Sequence, residues 1–386
     1  MRQLLLLLVL LSLTACGRLT EYNNPPPAPP AASTPVPATS NNTGGGVASP
    51  TSFADVVARV APAVVTIHSA RRARAPRQHP FFDDPRFREF FGLPRRPQRE
   101  APAVRGLGSG VIVSNEGYVL TNHHVIDGAE EVTVELTDHR TYSARLVGSD
   151  PPSDLAVLKI DENNLPVLPM GNSDQARVGD MVLAIGNPLG LEQTVTAGII
   201  SAKGRSTGLS DGSFEDFLQT DAPINQGNSG GALVSATGEL IGINSQILSP
   251  TGGNIGIGFA IPVNMARNVM DQLIRDGTVR RGSLGVTIQS LTPEAVSRLG
   301  LQTARGALVT SVISGGPAER AGVRANDVII GLNGNPVDDP NALRNAVAGT
   351  QPGTQVELTV WRNGGEQRLR VTLGELRTQA PQQRGE

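Results

Sequence analysis

From Ala63 onward the sequence is cut into short β-rich runs at 64–68, 109–113, 132–136, 155–160, 181–185, 195–201, 232–234 and 240–244, separated by Gly, Asp, Asn and Pro turns. Strands this short at this spacing point to an all-β barrel or a pair of barrels. The composition agrees: 44 Gly and 29 Pro beside only nine Phe, three Tyr and one Trp describe a loop-rich β protein with linkers. With 386 residues, 39% of them hydrophobic, the chain can bury more than one core.

Helical signals frame the β region. Ser52-Phe-Ala-Asp55 reads as a capping box opening a helix over 53–60, stopped by Pro62. A second helix over 264–275 closes the unit, so that 52–275 forms one domain and 276–282 a hinge. A smaller globular unit follows over 283–376, with strands around Val286, Leu308, Val328, Val356 and Leu369 and helical patterns at 293–299, 318–321 and 340–347. The polar residues 377–386 are expected to be a disordered tail too short for a further domain. One insertion, 71–105, interrupts the β pattern with ten Arg against four acids and with Phe81, Phe82, Phe87, Phe90 and Phe91. That many aromatics call for a docking surface, on its own domain or on another subunit.

The single cysteine, Cys16, excludes an intramolecular disulfide, a Cys-based zinc site and a thiol nucleophile in the folded region. An apolar run over 4–13 is too short to span a bilayer and reads as a signal-peptide core. It ends in Leu13-Thr14-Ala15-Cys16, the pattern of a lipoprotein cleavage box. Residues 1–15 are then the signal peptide, Cys16 the lipidated residue, and 17–51, with eight prolines, a disordered tether. The expected location is extracytoplasmic and lipid-anchored; where a cell has two membranes, the outer is favoured over the inner because Gly17, not Asp, follows the cysteine. With 33 Lys and Arg against 35 Asp and Glu, nothing calls for nucleic acid as a partner.

The strongest chemical signal is Gly227-Asn228-Ser229-Gly230-Gly231 between two β-rich runs. A serine that attacks a carbonyl must stand on a sharp turn whose backbone N–H groups converge on the developing oxyanion, and glycines permit both the dihedrals and the close approach. The same five residues would also make an ordinary β-turn. Five histidines could serve as its base: His68, His79, His123, His124 and His139. The His123-His124 pair follows a strand end, where one ring can reach a cleft. Adjacent histidines do not face one metal ion in regular structure and no third ligand lies nearby, so no metal is expected. Asp154, directly before a buried strand, is the candidate to orient the base, with Asp127 and Asp138 as rivals on spacing. Histidine, aspartate and serine in that order on loops of one all-β unit is the chymotrypsin-type arrangement.

The successive motifs Leu107-Gly-Ser-Gly-Val-Ile-Val, Thr121-Asn-His-His-Val, Ser153-Asp-Leu-Ala-Val-Leu, Ala184-Ile-Gly-Asn-Pro, Thr220-Asp-Ala-Pro-Ile-Asn-Gln-Gly-Asn-Ser-Gly-Gly-Ala-Leu and Gly256-Ile-Gly-Phe-Ala-Ile-Pro resemble the HtrA/Deg serine proteases. The resemblance runs over roughly residues 53–376. It implies a mainly β fold, a chymotrypsin-like double β-barrel followed by one small α+β PDZ domain. It also implies His124 as general base, Asp154 as its orienter and Ser229 as nucleophile. The N–H groups of Gly227 and Ser229, with Asn228 between them, would form the oxyanion hole. Ile224 and Ile257 match the family's shallow apolar pocket, so cleavage is expected after small aliphatic residues. Arg205 matches a regulatory arginine that senses the neighbouring domain. Leu189 replaces the aromatic that often follows Asn-Pro in the family, and the 71–105 insertion resembles the family's regulatory loop.

Arg281-Gly-Ser-Leu-Gly-Val286, followed by 316–334, resembles a PDZ domain of the bacterial protease type. Leu284, Gly285 and Val286 are the expected peptide-binding residues: a glycine turn offers N–H groups to a C-terminal carboxylate and the next strand pairs with the peptide. The expected activity is therefore serine endopeptidase action on misfolded envelope proteins, without cofactor, gated by the PDZ domain in a homotrimer or a multiple of trimers. Its partners are unfolded proteins and hydrophobic C-terminal peptides. The competing expectation is a holdase or PDZ scaffold with vestigial proteolysis. A nucleotide enzyme is disfavoured because no phosphate loop with its lysine occurs; Gly106-Leu-Gly-Ser-Gly110 leads into a strand.

Overall fold

Twelve antiparallel strands form two closed six-stranded barrels in the computed structural model. It describes residues 52–71, 104–187, 193–207, 214–225, 227–247 and 254–376. Cys16, the 17–51 segment, residues 72–103 of the insertion, Leu189 and the 377–386 tail lie outside the described residues. The described residues belong to one unit spanning Thr51–Glu386.

The first barrel contains β1 (Val64–Arg71), β2 (Val104–Ile112), β3 (Tyr118–Thr121), β4 (Glu131–Glu135), β5 (Thr141–Asp150) and β6 (Leu155–Ile160), closed in the order β1-β2-β3-β6-β5-β4. The second contains β7 (Met181–Gly186), β8 (Thr194–Arg205), β9 (Phe217–Thr220), β10 (Ala232–Ser235), β11 (Leu240–Ile247) and β12 (Gly258–Pro262), closed in the order β10-β11-β12-β9-β8-β7.

The period of two explains why several of these strands read as continuous apolar runs. In β6, Ala156, Leu158 and Ile160 fill the first barrel, while Leu155 and Val157 face a separate cluster. In β7, Val182 and Ala184 fill the second barrel, and Leu183 and Ile185 join that same separate cluster. Successive side chains point to opposite faces, so both faces are buried and neither can be polar. The shared cluster packs the barrels together, and each fully buried Leu or Ile in it stabilises by ~1.5–3 kcal/mol.

α1 (Ala54–Val60) begins one residue later than the sequence predicts. Its N-cap is Phe53, which has no side-chain cap bond; Ser52 Oγ instead accepts from the Ala54 N–H at 3.1 Å, so the predicted capping box is not formed. α2 (His123–Ile126) is a single turn, and α3 (Val263–Asp276) lays Ala266, Val269 and Leu273 on the inter-barrel cluster before ending at Gly277 in the left-handed region.

The second unit is a sheet of β14 (Val286–Gln289), β15 (Ala307–Val312), β16 (Val328–Leu332), β18 (Gln355–Arg362) and β19 (Gly365–Thr372), with β17 (Asn335–Pro336) paired to β16. Its helices are α4 (Pro293–Leu299), α5 (Pro317–Arg320) and α6 (Pro340–Ala348). Each starts on a proline, whose fixed φ suits the first turn where its missing N–H has no partner to lose. Thr292 and Asp339 cap α4 and α6. The expected fold class, a chymotrypsin-like barrel pair followed by a small α+β unit of PDZ type, is what the chain forms.

Polar contacts join the two units. Arg281, just before β13 (Gly282–Ser283), is 8% exposed and reaches both carboxylate oxygens of Asp150, itself 5% exposed, at the end of β5. Its guanidinium also stands 4.5 Å from the centre of the Phe214 ring. From α6, the side-chain amides of Asn341 and Asn345 donate to the Glu215 carbonyl at 2.8 and 2.7 Å. Replacing Arg281 by Ala strands a buried carboxylate, so unfolding monitored in urea should show a loss of ~3–5 kcal/mol. A loss below ~1 kcal/mol, the level of an exposed pair, would show that water screens the contact.

Candidate active site

Asp154 owes its position to the turn that precedes it. Pro151–Ser153 forms a short 3-10 turn capped by Asp150, whose Oδ2 accepts from the Ser153 N–H at 3.1 Å. Asp154 ends the turn at φ +54, a left-handed conformation that aspartate tolerates better than most residues. Its carbonyl is fixed by the His123 N–H at 3.1 Å and the Asn122 side-chain amide at 3.0 Å. Its carboxylate then meets His124: Oδ1 accepts the His124 backbone N–H at 3.0 Å, and Nδ1 stands 2.8 Å from Oδ2 and 3.0 Å from Oδ1. A carboxylate only accepts, so Nδ1 carries the proton and Nε2 is left as the basic nitrogen.

The other candidates fall away from this pair. His123 lies 3.7 Å from Asp127 through Nε2, and its buried Nδ1 has no partner. Asp138 is held by Arg140 at 2.8 Å. His68 and His139 both bind Glu135, at 2.8 and 3.2 Å, and these hydrogen bonds hold the Glu135 carboxyl below its ordinary pKa. His79 lies outside the described residues.

Ser229 shares the cleft with His124 and Asp154, a depression of about 620 Å³ also lined by Phe217, Ile224 and Ile247. Its turn is built by backbone geometry. Gly227 has φ +98 and Gly230 φ +83, and a Cβ at Gly230 would stand 2.1 Å from the Ser109 carbonyl and 2.4 Å from Thr121 Oγ1. Ser109 binds the turn to the first barrel: its N–H donates to the Ser229 carbonyl at 2.9 Å and its hydroxyl to the Gly227 carbonyl at 2.6 Å. The Asn228 N–H is spent on the Asn225 carbonyl at 3.0 Å, and its side chain packs against Gly186. The N–H groups of Gly227 and Ser229 donate to no described residue. The Ser229 hydroxyl donates to the Ser245 carbonyl at 3.0 Å.

Ser245 is the residue that sequence reasoning missed. Its own hydroxyl donates to Asp154 Oδ2 at 3.0 Å, so one β11 residue touches both the serine and the carboxylate. Nothing in its spacing marks it. A hydrogen bond to a charged group is worth ~1.5–3 kcal/mol, only part of which bears on the reaction. Ser245→Ala should therefore lower kcat roughly tenfold with KM little changed; an unchanged kcat in steady-state peptide hydrolysis would remove Ser245 from the site.

Of the two expected pocket residues, Ile224 lines the cleft; Ile257 is absent from its lining and packs, partly buried, on the inter-barrel cluster. Arg205 ends β8 opposite Phe217, with its side chain exposed and without a hydrogen bond or ion pair to a described residue. Leu284 is buried in the core of the second unit, Gly285 has φ +74, and Val286 opens β14. The Gly285 carbonyl is taken by the Ile313 N–H at 2.8 Å, and β14 ends the order of its sheet, leaving one edge without a paired strand among the described residues.

A trypsin-type barrel pair with a Ser, His and Asp side chain in one cleft, followed by a PDZ-type unit, defines the class of a serine endopeptidase. Residues 108–243 match the Trypsin-like peptidase domain family and residues 282–373 the PDZ domain family. The chain is 48% identical over 342 residues to "Probable periplasmic serine endoprotease DegP-like" of Chlamydia trachomatis serovar D, covering 85% of this chain and 69% of that one. It is 46% identical over 326 residues to "Periplasmic pH-dependent serine endoprotease DegQ" of Escherichia coli K12, covering 83% and 70%. Among solved structures, "HtrA-type protease AlgW with tripeptide" superposes with a TM-score of 0.68 at 45% identity, covering 85% of this chain and 98% of that one. The chain belongs to the HtrA/Deg family of serine endoproteases.

Proposed function

We propose that this endopeptidase uses Ser229 as nucleophile, His124 as general base and Asp154 as its orienter. The observation that carries the reading is the Asp154 carboxylate gripping both the backbone N–H and Nδ1 of His124, beside a serine on a glycine turn. In the structure Ser229 Oγ donates to the Ser245 carbonyl, and the reaction requires it to turn from there to His124 Nε2 in the same cleft. Oγ then attacks the scissile carbonyl carbon as its proton passes to Nε2, and the oxyanion is held by the N–H groups of Gly227 and Ser229. Collapse breaks the C–N bond, the amine leaves with the proton from Nε2, and water hydrolyses the acyl-serine by the reverse sequence. The nucleophile, the base, its orienter and the oxyanion donors in these steps all belong to the chain, so the chemistry calls for no cofactor or metal.

The protein works outside the cytoplasm, as its relatives' names state of them. Unfolded envelope proteins are the proposed substrates, cut after small aliphatic residues that fit beside Ile224. The open edge of β14, next to Gly285, supports capture of a hydrophobic C-terminal peptide as an added strand. Anchoring through Cys16, favouring the outer membrane, and assembly as trimers complete the reading. Incubating the chain with an unfolded protein, with and without a hydrophobic C-terminal peptide, and identifying the new ends by mass spectrometry tests it. Cleavage after Val and Ala, faster with the peptide, is expected. Cleavage after Lys or Arg would overturn the pocket, and indifference to the peptide would overturn the gating.

A further inference from the structure

Residues 106–110, Gly-Leu-Gly-Ser-Gly, form the middle of β2, a strand that touches both halves of the site. Glycine at 108 lets α2, which carries His124, sit directly on the strand: a Cβ there would stand 2.7 Å from Val125 Cγ1. Its neighbour Ser109 has no exposed surface and uses every polar group it has. The N–H donates to the Ser229 carbonyl at 2.9 Å, and the carbonyl accepts the Thr121 hydroxyl at 2.7 Å. The Ser109 hydroxyl donates to the Gly227 carbonyl at 2.6 Å and accepts the Asn187 N–H at 2.8 Å. One residue therefore ties together the segment leading to His124, both ends of the turn over 227–229 and the chain just after β7.

The backbone bonds of residue 109 are open to any side chain, but the bond to Gly227 needs a hydroxyl. Gly227 stands at φ +98, and glycine moves between dihedrals of either sign more easily than any other residue. A turn built on it is soft unless something holds it. The donors of an oxyanion hole stabilise the tetrahedral state because they are already in place when charge develops, so a loose Gly227 would forfeit part of that effect. A barrel strand gripping its carbonyl supplies the rigidity.

We propose that Ser109 is a positioning residue for the reaction: its hydroxyl locks Gly227 so that the N–H groups of Gly227 and Ser229 converge on the developing oxyanion. The inference rests on the reading of Ser229 as nucleophile. Its signature is selective. A planar substrate carbonyl depends little on the hole and the tetrahedral state depends on it strongly, so losing the hydroxyl should weaken binding of the second and spare the first.

Ser109→Ala in the full chain tests this, assayed with a peptide substrate and with a boronic acid analogue of a peptide ending in valine, whose boron takes up the Ser229 oxygen as a tetrahedral mimic. The kcat should fall about a hundredfold and the inhibition constant of the boronic acid should rise by a similar factor. KM should stay within about threefold of the parent. A substitution that merely unfolds part of the sample lowers kcat but leaves both KM and the inhibition constant at their parental values. That pattern, or an unchanged kcat, would overturn the proposal. Ser109→Cys, with nearly the same volume and a weaker donor, should fall between the parent and Ser109→Ala. Should Ser109→Ala not fold, parental kcat and boronic acid affinity in Ser109→Cys would overturn the proposal equally. A parent that does not bind the boronic acid overturns the nucleophile reading and this inference with it; a parent that binds it no better than Ser109→Ala overturns this inference alone.

Discussion

Ser229→Ala should lower kcat for peptide hydrolysis by about a millionfold, the scale on which a serine protease loses its nucleophile. The fold should not notice. Among the described residues Ser229 Oγ makes one hydrogen bond, to the Ser245 carbonyl, while the turn is held by Ser109 and by the Gly230 and Gly231 N–H groups donating to the Asn244 and Asn228 carbonyls. A single neutral hydrogen bond is worth ~1 kcal/mol, so the melting temperature should move by a few degrees at most. Release of soluble fragments from casein and a thermal melt measure the two effects separately. Residual hydrolysis near the parental rate would remove Ser229 from the mechanism. The variant also decides the holdase reading: if the parent shows no turnover and client protection survives unchanged in Ser229→Ala, the scaffold becomes the better account.

The second large effect is at Asp154. Asn in its place keeps the left-handed backbone, which asparagine tolerates, and keeps the carbonyl that His123 and Asn122 fix. It removes the acceptor-only group that pins the proton on His124 Nδ1. An amide can present its NH₂ there, leaving Nε2 protonated and unable to accept from Ser229, so kcat should fall by about 10⁴. Asp127→Asn is the control, since among the described residues the Asp127 carboxylate pairs with His123, at 3.7 Å, and not with His124. Its kcat should stay within about twofold of the parent, as for a surface substitution away from the machinery. Equal losses in the two variants would mean that the carboxylate role has been assigned wrongly.

Much of this architecture was legible because alternation in a barrel strand leaves a direct trace in sequence. Runs such as Leu-Ala-Val-Leu-Lys-Ile in β6 and Met-Val-Leu-Ala-Ile-Gly in β7 are apolar on both faces because one face fills a barrel and the other packs the barrels together. The glycine turn around Ser229 was equally visible, since only glycine can approach the Ser109 carbonyl as Gly230 does. Between His123 and His124 the residues alone were silent. Neighbours on a helical turn point about 100° apart, and only the turn at Pro151–Ser153 decides which ring meets Asp154.

What escaped the sequence is long-range. Ser245 stands 91 residues from Asp154 and Arg281 stands 131 from Asp150, so no local pattern could pair them. Ile257 was expected at the cleft and packs on the inter-barrel cluster, while the last three residues of β11, Ser245, Gln246 and Ile247, line the cleft with Ile224. Arg205 was expected to sense the neighbouring unit. Polar contacts between the units include those of Asn341 and Asn345 with the Glu215 carbonyl, that of Arg281 with Asp150, which caps the turn carrying Asp154, and that of Asn268 with the Gly349 carbonyl.

The most direct test of a serine acting as nucleophile is to name the atom that reacts. The chain is treated with diisopropyl fluorophosphate, which phosphorylates an activated serine hydroxyl with loss of fluoride, and the modified peptide is mapped by mass spectrometry. The expected result is a single adduct on Ser229, absent from Ser229→Ala and formed far more slowly in Asp154→Asn. Hydrolysis of casein that persists without any adduct, or with the adduct on a different serine, would contradict the account.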